Sequence, residues 1–339
     1  LRVLALAYRP LPPDVSQGHL EAHLILVGLV GFRDPPRPEV PAAIRQCREA
    51  GIKVIMVTGD HPQTAVAIAR EIGLVLASNA AVITGEQLRR LSEAELQLAL
   101  DAPEIIFARV GADQKLRIVR ALKQKGETVA ATGDGVNDAP ALKQADIGIA
   151  MGVTGTDVAR ESAHMVLLDD NFASIVAAVE EGRAVYDNIR KFLTYILTSN
   201  VPEIVPYLAF VLFKIPLPLT IIQILVVDLG TDMLPALALG AERPEAQVMR
   251  RPPRSPKERL LSWPLLARAY LWLGLLEAAA AMAAFFFVLR AAGWNYGEML
   301  PANDPIYLQA TTACFSAIIV MQVVNVFLCR SERGSAFTR

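Results

Sequence analysis

Most of the chain after Asn171 is taken up by four apolar runs: Phe192–Phe213, Leu219–Leu239, Trp263–Leu289 and Ile306–Cys329. Each reaches the length of about 20 residues that an α-helix needs to cross a bilayer. Only helices or closed barrels satisfy their backbone groups in lipid, so a bundle of membrane helices is the expected fold of this half. Four spans return the chain to the side it started from. The loop Gly240–Ser262 carries Arg243, Arg250, Arg251, Arg254, Lys257 and Arg259, and Arg330, Arg333 and Arg339 follow the last run. Lys214–Pro218 and Ala291–Pro305 are poor in Lys and Arg. The positive-inside rule therefore places the N-terminal part, the basic loop and the C-terminus in the cytoplasm. The stretch Arg250–Arg259 has two candidate neighbours, anionic lipid and the domain before the spans.

The first 185 or so residues read differently. From Leu24 to about Leu168, strand-like runs (Leu24–Val30, Val54–Val57, Ile105–Ala108, Thr128–Thr132, Ile147–Ala150, Val166–Leu168) alternate with helical patterns at Pro62–Ile72, Glu86–Leu100 and Asp113–Lys125. Such alternation implies βαβ units and a doubly wound parallel sheet, with ligands at the carboxyl ends of the strands. Phe172 to about Lys191 reads as an amphipathic helix entering the first span. A formal net charge of −1 excludes the basic footprint of a nucleic-acid binder. Cys47, Cys314 and Cys329 are too dispersed for a metal or disulfide framework.

Three strand ends carry candidate chemistry. Thr132-Gly133-Asp134-Gly135-Val136-Asn137-Asp138-Ala139-Pro140 follows a strand and sets two carboxylates four residues apart in a glycine-rich loop. That arrangement suits Mg²⁺, which takes a few carboxylate oxygens and leaves room for water and phosphate. Thr58-Gly59-Asp60 offers a hydroxyl and an amide to phosphate oxygens. Lys115, in the helix after Phe107-Ala108-Arg109, offers neutralising charge. Taken singly, the first of these two also reads as a helix cap and the second as a solvated lysine.

The first two apolar runs contain acids near helix-breaking residues. Asn200 and Glu203 share a helix face in the first, and Asp228 and Asp232 in the second. An ionised group at mid-bilayer costs very roughly 3 kcal/mol, so these side chains face an interior and call for compensation. Cation coordination supplies it; a polar network between helices is the structural alternative. Pro202, Pro206, Gly230 and Pro235 break the helices nearby and free carbonyls as further ligands.

These motifs resemble the type II P-type cation-transporting ATPases, the group of the calcium and sodium/potassium pumps. The likeness rests on Asp34-Pro35-Pro36-Arg37, Thr58-Gly59-Asp60, Lys115, Thr132–Pro140, Met151–Thr156 and Asp169-Asp170-Asn171-Phe172, and covers nearly the whole chain. The opening Leu1–Ala7 resembles the end of that family's nucleotide-binding domain. The resemblance implies an α/β haloacid-dehalogenase-like phosphorylation domain, with a Rossmann-type parallel sheet, joined to an α-helical transmembrane bundle. It implies that Asp134 holds Mg²⁺ with support from Asn137 and Asp138. Thr58, Gly59, Asp60 and Lys115 would contact the phosphoryl group, Asp34 would help assemble the site, and Arg2, Arg37 and Arg109 would serve ATP. In the membrane it implies Asn200, Glu203, Asp228, Thr231, Asp232, Gln322 and Asn325 as ligands of the transported cation. The order expected is 1–23 ending a nucleotide-binding domain, 24–170 the phosphorylation domain, 171–191 a stalk helix, 192–329 four spans with a cytoplasmic loop at 240–262, and 330–339 a tail.

The function implied is ATP-driven cation transport through an aspartyl phosphate, in a cell or plasma membrane. The phosphorylated aspartate of such pumps sits in Asp-Lys-Thr-Gly-Thr, and no such string occurs here. The chain is thus expected to be a C-terminal portion, inactive alone, whose partners are lipid, the cation, and the actuator domain, nucleotide-binding domain and earlier helices of the same pump. Asp228 and Gly230 resemble the sodium/potassium pump, whereas Gln322 with Asn325 is closer to plasma-membrane calcium pumps, so both ions stay open. Soft metals do not fit a site without Cys or His. Two other functions compete: a non-catalytic half that binds ions or a partner, and a membrane-anchored phosphatase of the haloacid dehalogenase superfamily. Acids buried in the spans speak against the second, since an anchor needs none.

Overall fold

The computed structural model of the chain describes residues 2–10, 24–32, 35–255 and 257–330. They fall into two units, Leu1–Ala177 with Met249–Pro252, and Ala178–Val248 with Pro253–Arg339.

The first unit opens on a two-stranded ribbon, β1 (Arg2–Tyr8) and β2 (Ile25–Phe32), paired antiparallel. The apolar run at Leu24–Val30, expected to begin the parallel sheet, is this second strand instead. The reason lies in its faces, which no helix among the described residues buries: Leu26, Val27 and Leu29 are 63%, 64% and 67% exposed. The βαβ alternation then begins. It runs α1 (Val40–Glu49), β3 (Met56–Thr58), α2 (Pro62–Glu71), β4 (Ala81–Thr84), α3 (Gly85–Arg90), α4 (Glu93–Ala99), β5 (Ile105–Ala108) and α5 (Ala112–Gln124). It continues with β6 (Ala130–Gly133), α6 (Ala139–Gln144), β7 (Ile147–Met151), α7 (Asp157–Ser162) and β8 (Met165–Leu167).

The strands form two parallel sheets, β3-β5-β4 and β6-β7-β8, where one doubly wound sheet is expected. A ladder between strands of three to five residues is only a few hydrogen bonds, so slight divergence separates neighbours. The double covering is nevertheless there. Ile106 and Ala108 of β5 pack with Ala65, Ala69 and Ile72 of α2 and its cap, while Ile105 and Phe107 pack with Leu88, Leu96 and Ile118. Alternate residues of one strand thus feed two cores, as in a strand buried on both faces. The helix expected over Glu86–Leu100 is two helices. Ser92 caps α4, its hydroxyl accepting from the Glu95 N–H while Glu95 bonds back, and this capping box ends the preceding helix at Leu91.

The second unit is helical. α8 (Phe172–Ser199) enters it and is followed, after a break at Asn200, by α9 (Val201–Phe213). The next span is α10 (Ile221–Val226), a wide π-helical turn at Val227–Asp232, and α11 (Met233–Gly240). The third is α12 (Trp263–Leu266), a π segment at Ala267–Gly274, and α13 (Leu275–Ala291); the fourth is α14 (Pro305–Arg330). The four stretches are long and apolar enough to cross a membrane. Phe285, Leu289, Cys314 and Ile318 centre their shared core.

At one end of this bundle, ion pairs tie the loop after α11 to α8. Lys191 Nζ is 2.9 Å from Glu242, whose other oxygen takes Arg330. Burial disfavours the charged form of Glu242, but Arg330 and Lys191 outweigh it and hold the carboxyl below its ordinary range. Farther along the loop, Arg254 pairs with Asp187 at 3.1 Å and lies 3.5 Å from the Tyr186 ring centre, so this arginine rests on α8.

Candidate functional site

β6 ends at Gly133, and the chain turns so that Asp138 begins α6. Asp138 is 7% exposed and folds back under the turn, Oδ2 accepting from the N–H groups of Asp134 and Gly135 at 3.3 and 3.2 Å. Gly133 makes room for it: a Cβ there would stand 2.3 Å from Asp138 Cβ. Lys115, one turn into α5, donates to the other oxygen, Asp138 Oδ1, at 2.6 Å. The helix after β5 and the loop after β6 therefore meet in one ion pair. Asp134 and Asn137 lie exposed on the same turn.

Thr58 and Ala108 are register partners on β3 and β5. Beyond them the two loops stay joined: Arg109 N–H donates to the Asp60 carbonyl at 3.1 Å and Val110 N–H to that of Thr58 at 3.3 Å. The Thr58 hydroxyl accepts from Asp60 N–H at 3.1 Å, which leaves its own proton to donate. Thr58, Gly59 and Asp60 thus stand at the carboxyl end of β3, and Lys115 stands in the helix that follows the neighbouring strand β5. Arg109 is exposed, with a positive φ of 53°. The Arg37 guanidinium donates to the carbonyls of Asp169 and Asp170. Asp34 and the side chain of Arg2 lie outside the described residues.

Asp170 closes the unit. Its carboxylate accepts from Val153 N–H, Thr154 N–H and the Thr154 hydroxyl, at 3.0, 2.8 and 2.7 Å. The Val153 donor first, then those of Thr154, outweigh burial and hold the carboxyl down to about 2. The loop after β7 is thereby clamped to the residues that start α8.

The second constellation lies within the spans. One carboxylate oxygen each of Glu203, Asp228 and Asp232 falls within 4.8 Å of the others. Pro202 and Pro206 have no N–H, so the carbonyls of Thr198 and Pro202 lose their usual helical donor. Pro235 does the same to Thr231, whose carbonyl accepts the Tyr195 hydroxyl at 2.9 Å instead. The expected break near Gly230 is a π-helical turn spanning Asp228 to Asp232, a form that recurs at functional sites. The Thr231 hydroxyl donates to the Val227 carbonyl at 2.9 Å. Gln322 Nε2 donates to Asp232 Oδ1 at 2.7 Å, and Asn325 accepts from Cys329 Sγ at 3.4 Å. Asn200 stands at the break between α8 and α9. All seven expected residues lie in this one unit, and Gln322 touches the acid cluster directly.

Sequence reasoning passed over Glu277 on the third span, which is 1% exposed. The signal was present, since an acid inside an apolar run carries the insertion cost that singled out Glu203.

Comparison with known proteins covers both units. Residues 216–339 match the cation-transporting ATPase C-terminus family. Residues 11–146 and 114–179 match haloacid dehalogenase-like hydrolase families. All of the chain is 47% identical to 37% of a calcium-transporting ATPase of Bacillus subtilis. Over 93% of its length it is 44% identical to 35% of the sodium/potassium-transporting ATPase subunit alpha of Drosophila melanogaster. The human sodium/potassium-transporting ATPase subunit alpha-4 is 41% identical over 99% of the chain and 38% of its own length. The chain thus spans a little over a third of these relatives. It joins a haloacid dehalogenase-like hydrolase region to a cation-transporting ATPase C-terminus, and its relatives over nearly its whole length are P-type cation-transporting ATPases.

Proposed function

We propose that the chain is the phosphoryl-transfer and ion-binding portion of an ATP-driven cation pump that cycles through an aspartyl phosphate. The observation that carries this reading is the Glu203–Asp228–Asp232 cluster within the spans of a chain that also holds the Lys115–Asp138 site. Anchoring alone would not require three acids at the cost of desolvating them.

Phosphoryl transfer is mainly positioning and charge neutralisation. The Asp138 carboxylate, fixed by two backbone N–H groups, orients the Lys115 ammonium at the site. Thr58 and the Gly59 N–H donate to phosphoryl oxygens. The oxygens of Asp134 and Asn137 are the hard donors Mg²⁺ prefers, and they would hold it. Bound there, Mg²⁺ supplies positive charge to the phosphoryl oxygens. The aspartate that becomes phosphorylated comes from outside these residues, with the nucleotide-binding and actuator domains and earlier helices. In the membrane, Glu203, Asp228 and Asp232, joined by Asn200, Thr231, Gln322 and Asn325, take Ca²⁺ or Na⁺ and K⁺ as cargo. The charge of the loops supports a cytoplasmic hydrolase unit and C-terminus, and we take the membrane to be the cell membrane.

The test is phosphoenzyme formation on the full-length protein in native membranes, with labelled ATP, Ca²⁺, Na⁺ and K⁺ varied separately, and hydroxylamine to identify an acyl phosphate. Labelling that depends on one ion, and falls in Asp232→Asn, is expected. Folded, ATP-binding protein without acyl phosphate under any ion would favour a non-catalytic, ion- or partner-binding role.

A further inference from the structure

Glu277 is buried where nothing described compensates its charge. Both of its carboxylate oxygens lack a hydrogen-bond partner, and no ion pair among the described residues includes it. Gly274 explains how it comes so deep. A Cβ at 274 would stand 2.5 Å from Val201 Cγ2, so glycine lets the third span approach the first just beyond the Asn200 break. Glu277 follows three residues later on the same face. In the same unit, Asn325 Nδ2 is buried without an acceptor, and Glu203 Oε1 and Gln322 Oε1 are buried without a donor. Four such oxygens, from α9, α13 and α14, are all acceptors.

A buried carboxyl group is accommodated by hydrogen-bond donors, by a basic side chain, by a bound cation or by keeping its own proton. The first two are missing for Glu277 among the described residues. We propose that Glu277 is a ligand of the transported cation, so that the third span adds a fourth carboxylate to the cluster of Glu203, Asp228 and Asp232. The ligand class is a hard cation taking oxygen donors only. With four carboxylates the site balances more positive charge than the cluster of three does. This inference rests on the cation-site reading above.

The experiment is equilibrium binding of radiolabelled Ca²⁺ and of radiolabelled Na⁺, each alone, to the full-length protein in detergent. Wild type is compared with Glu277→Gln, Glu277→Asp and Asp232→Asn, each first checked for monodispersity and thermal midpoint. Glu277→Gln is expected to weaken binding about tenfold or to lower the number of cations bound, and Glu277→Asp to recover part of the loss. Should Glu277→Gln fail to fold, Glu277→Asp decides alone, by weakening binding at least about threefold. Binding within about threefold of wild type at unchanged stoichiometry, with Asp232→Asn defective, overturns the role of Glu277 and leaves the cation site standing. Wild-type binding in both Glu277→Gln and Asp232→Asn would overturn the cation site itself.

Discussion

Lys115 Nζ and Asp138 Oδ1 lie 2.6 Å apart, joining α5 to the loop after β6. Removing one partner of a mostly buried pair leaves the other without compensation. Lys115→Met is therefore expected to destabilise the hydrolase unit by about 2 kcal/mol, below the fully buried case because Lys115 keeps some exposure. Adding Asp138→Asn should restore most of that stability without restoring phosphorylation. Denaturant unfolding and phosphoenzyme labelling of the full-length single and double variants separate the two roles.

Gly133→Ala puts a methyl group against Asp138, where no flexible side-chain end can give way. A loss of about 1 to 3 kcal/mol is expected, as for other overpacked sites, together with loss of phosphorylation. Thermal unfolding of the variant checks the first part, and labelling from ATP the second.

Asp170 makes a pH-dependent prediction. Its folded carboxyl is held down to about 2, below its unfolded value, so the stability it contributes is fully present above about pH 4 and is lost as pH falls through 2. Asp170→Asn should unfold at lower denaturant than wild type at pH 6, and the gap should narrow steadily below pH 4. A gap that stays constant down to pH 2 would contradict this.

The ion pairs between α8 and the loop after α11 differ in depth. Lys191 is 5% exposed against Glu242, whereas Arg254 is 34% exposed against Asp187. Exposed pairs contribute about 0 to 1 kcal/mol and buried ones cost more when broken. Lys191→Met should lower the thermal midpoint of the detergent-solubilised protein clearly more than Arg254→Met.

Much of this was legible in residue order. The spans announce themselves by length, and the acids in the first two by their cost in lipid. The strand ends carrying Thr58, Lys115 and Asp134 follow from the βαβ alternation. What was not legible depends on pairing or depth. The run at Leu24–Val30 is apolar enough for a buried parallel strand, and only its partner at Arg2–Tyr8 reveals a ribbon. Ala81–Thr84 is as long as β5, and only its pairing with β5 marks it as a strand. Arg37 sits in a phosphate-site motif but clamps Asp169 and Asp170, a contact across more than a hundred residues that spacing does not encode. Glu277 needed its burial and its two unpartnered oxygens to be seen as more than an acid on a span.

The most direct measurement of the central claim is ATP-driven uptake of radiolabelled Ca²⁺ or Na⁺ into inside-out vesicles bearing the full-length protein. The account predicts uptake in wild type, its loss in Asp232→Asn and Glu203→Gln, and near-normal uptake in Arg254→Met. Unchanged uptake when Glu203 and Asp232 are both neutralised would contradict it.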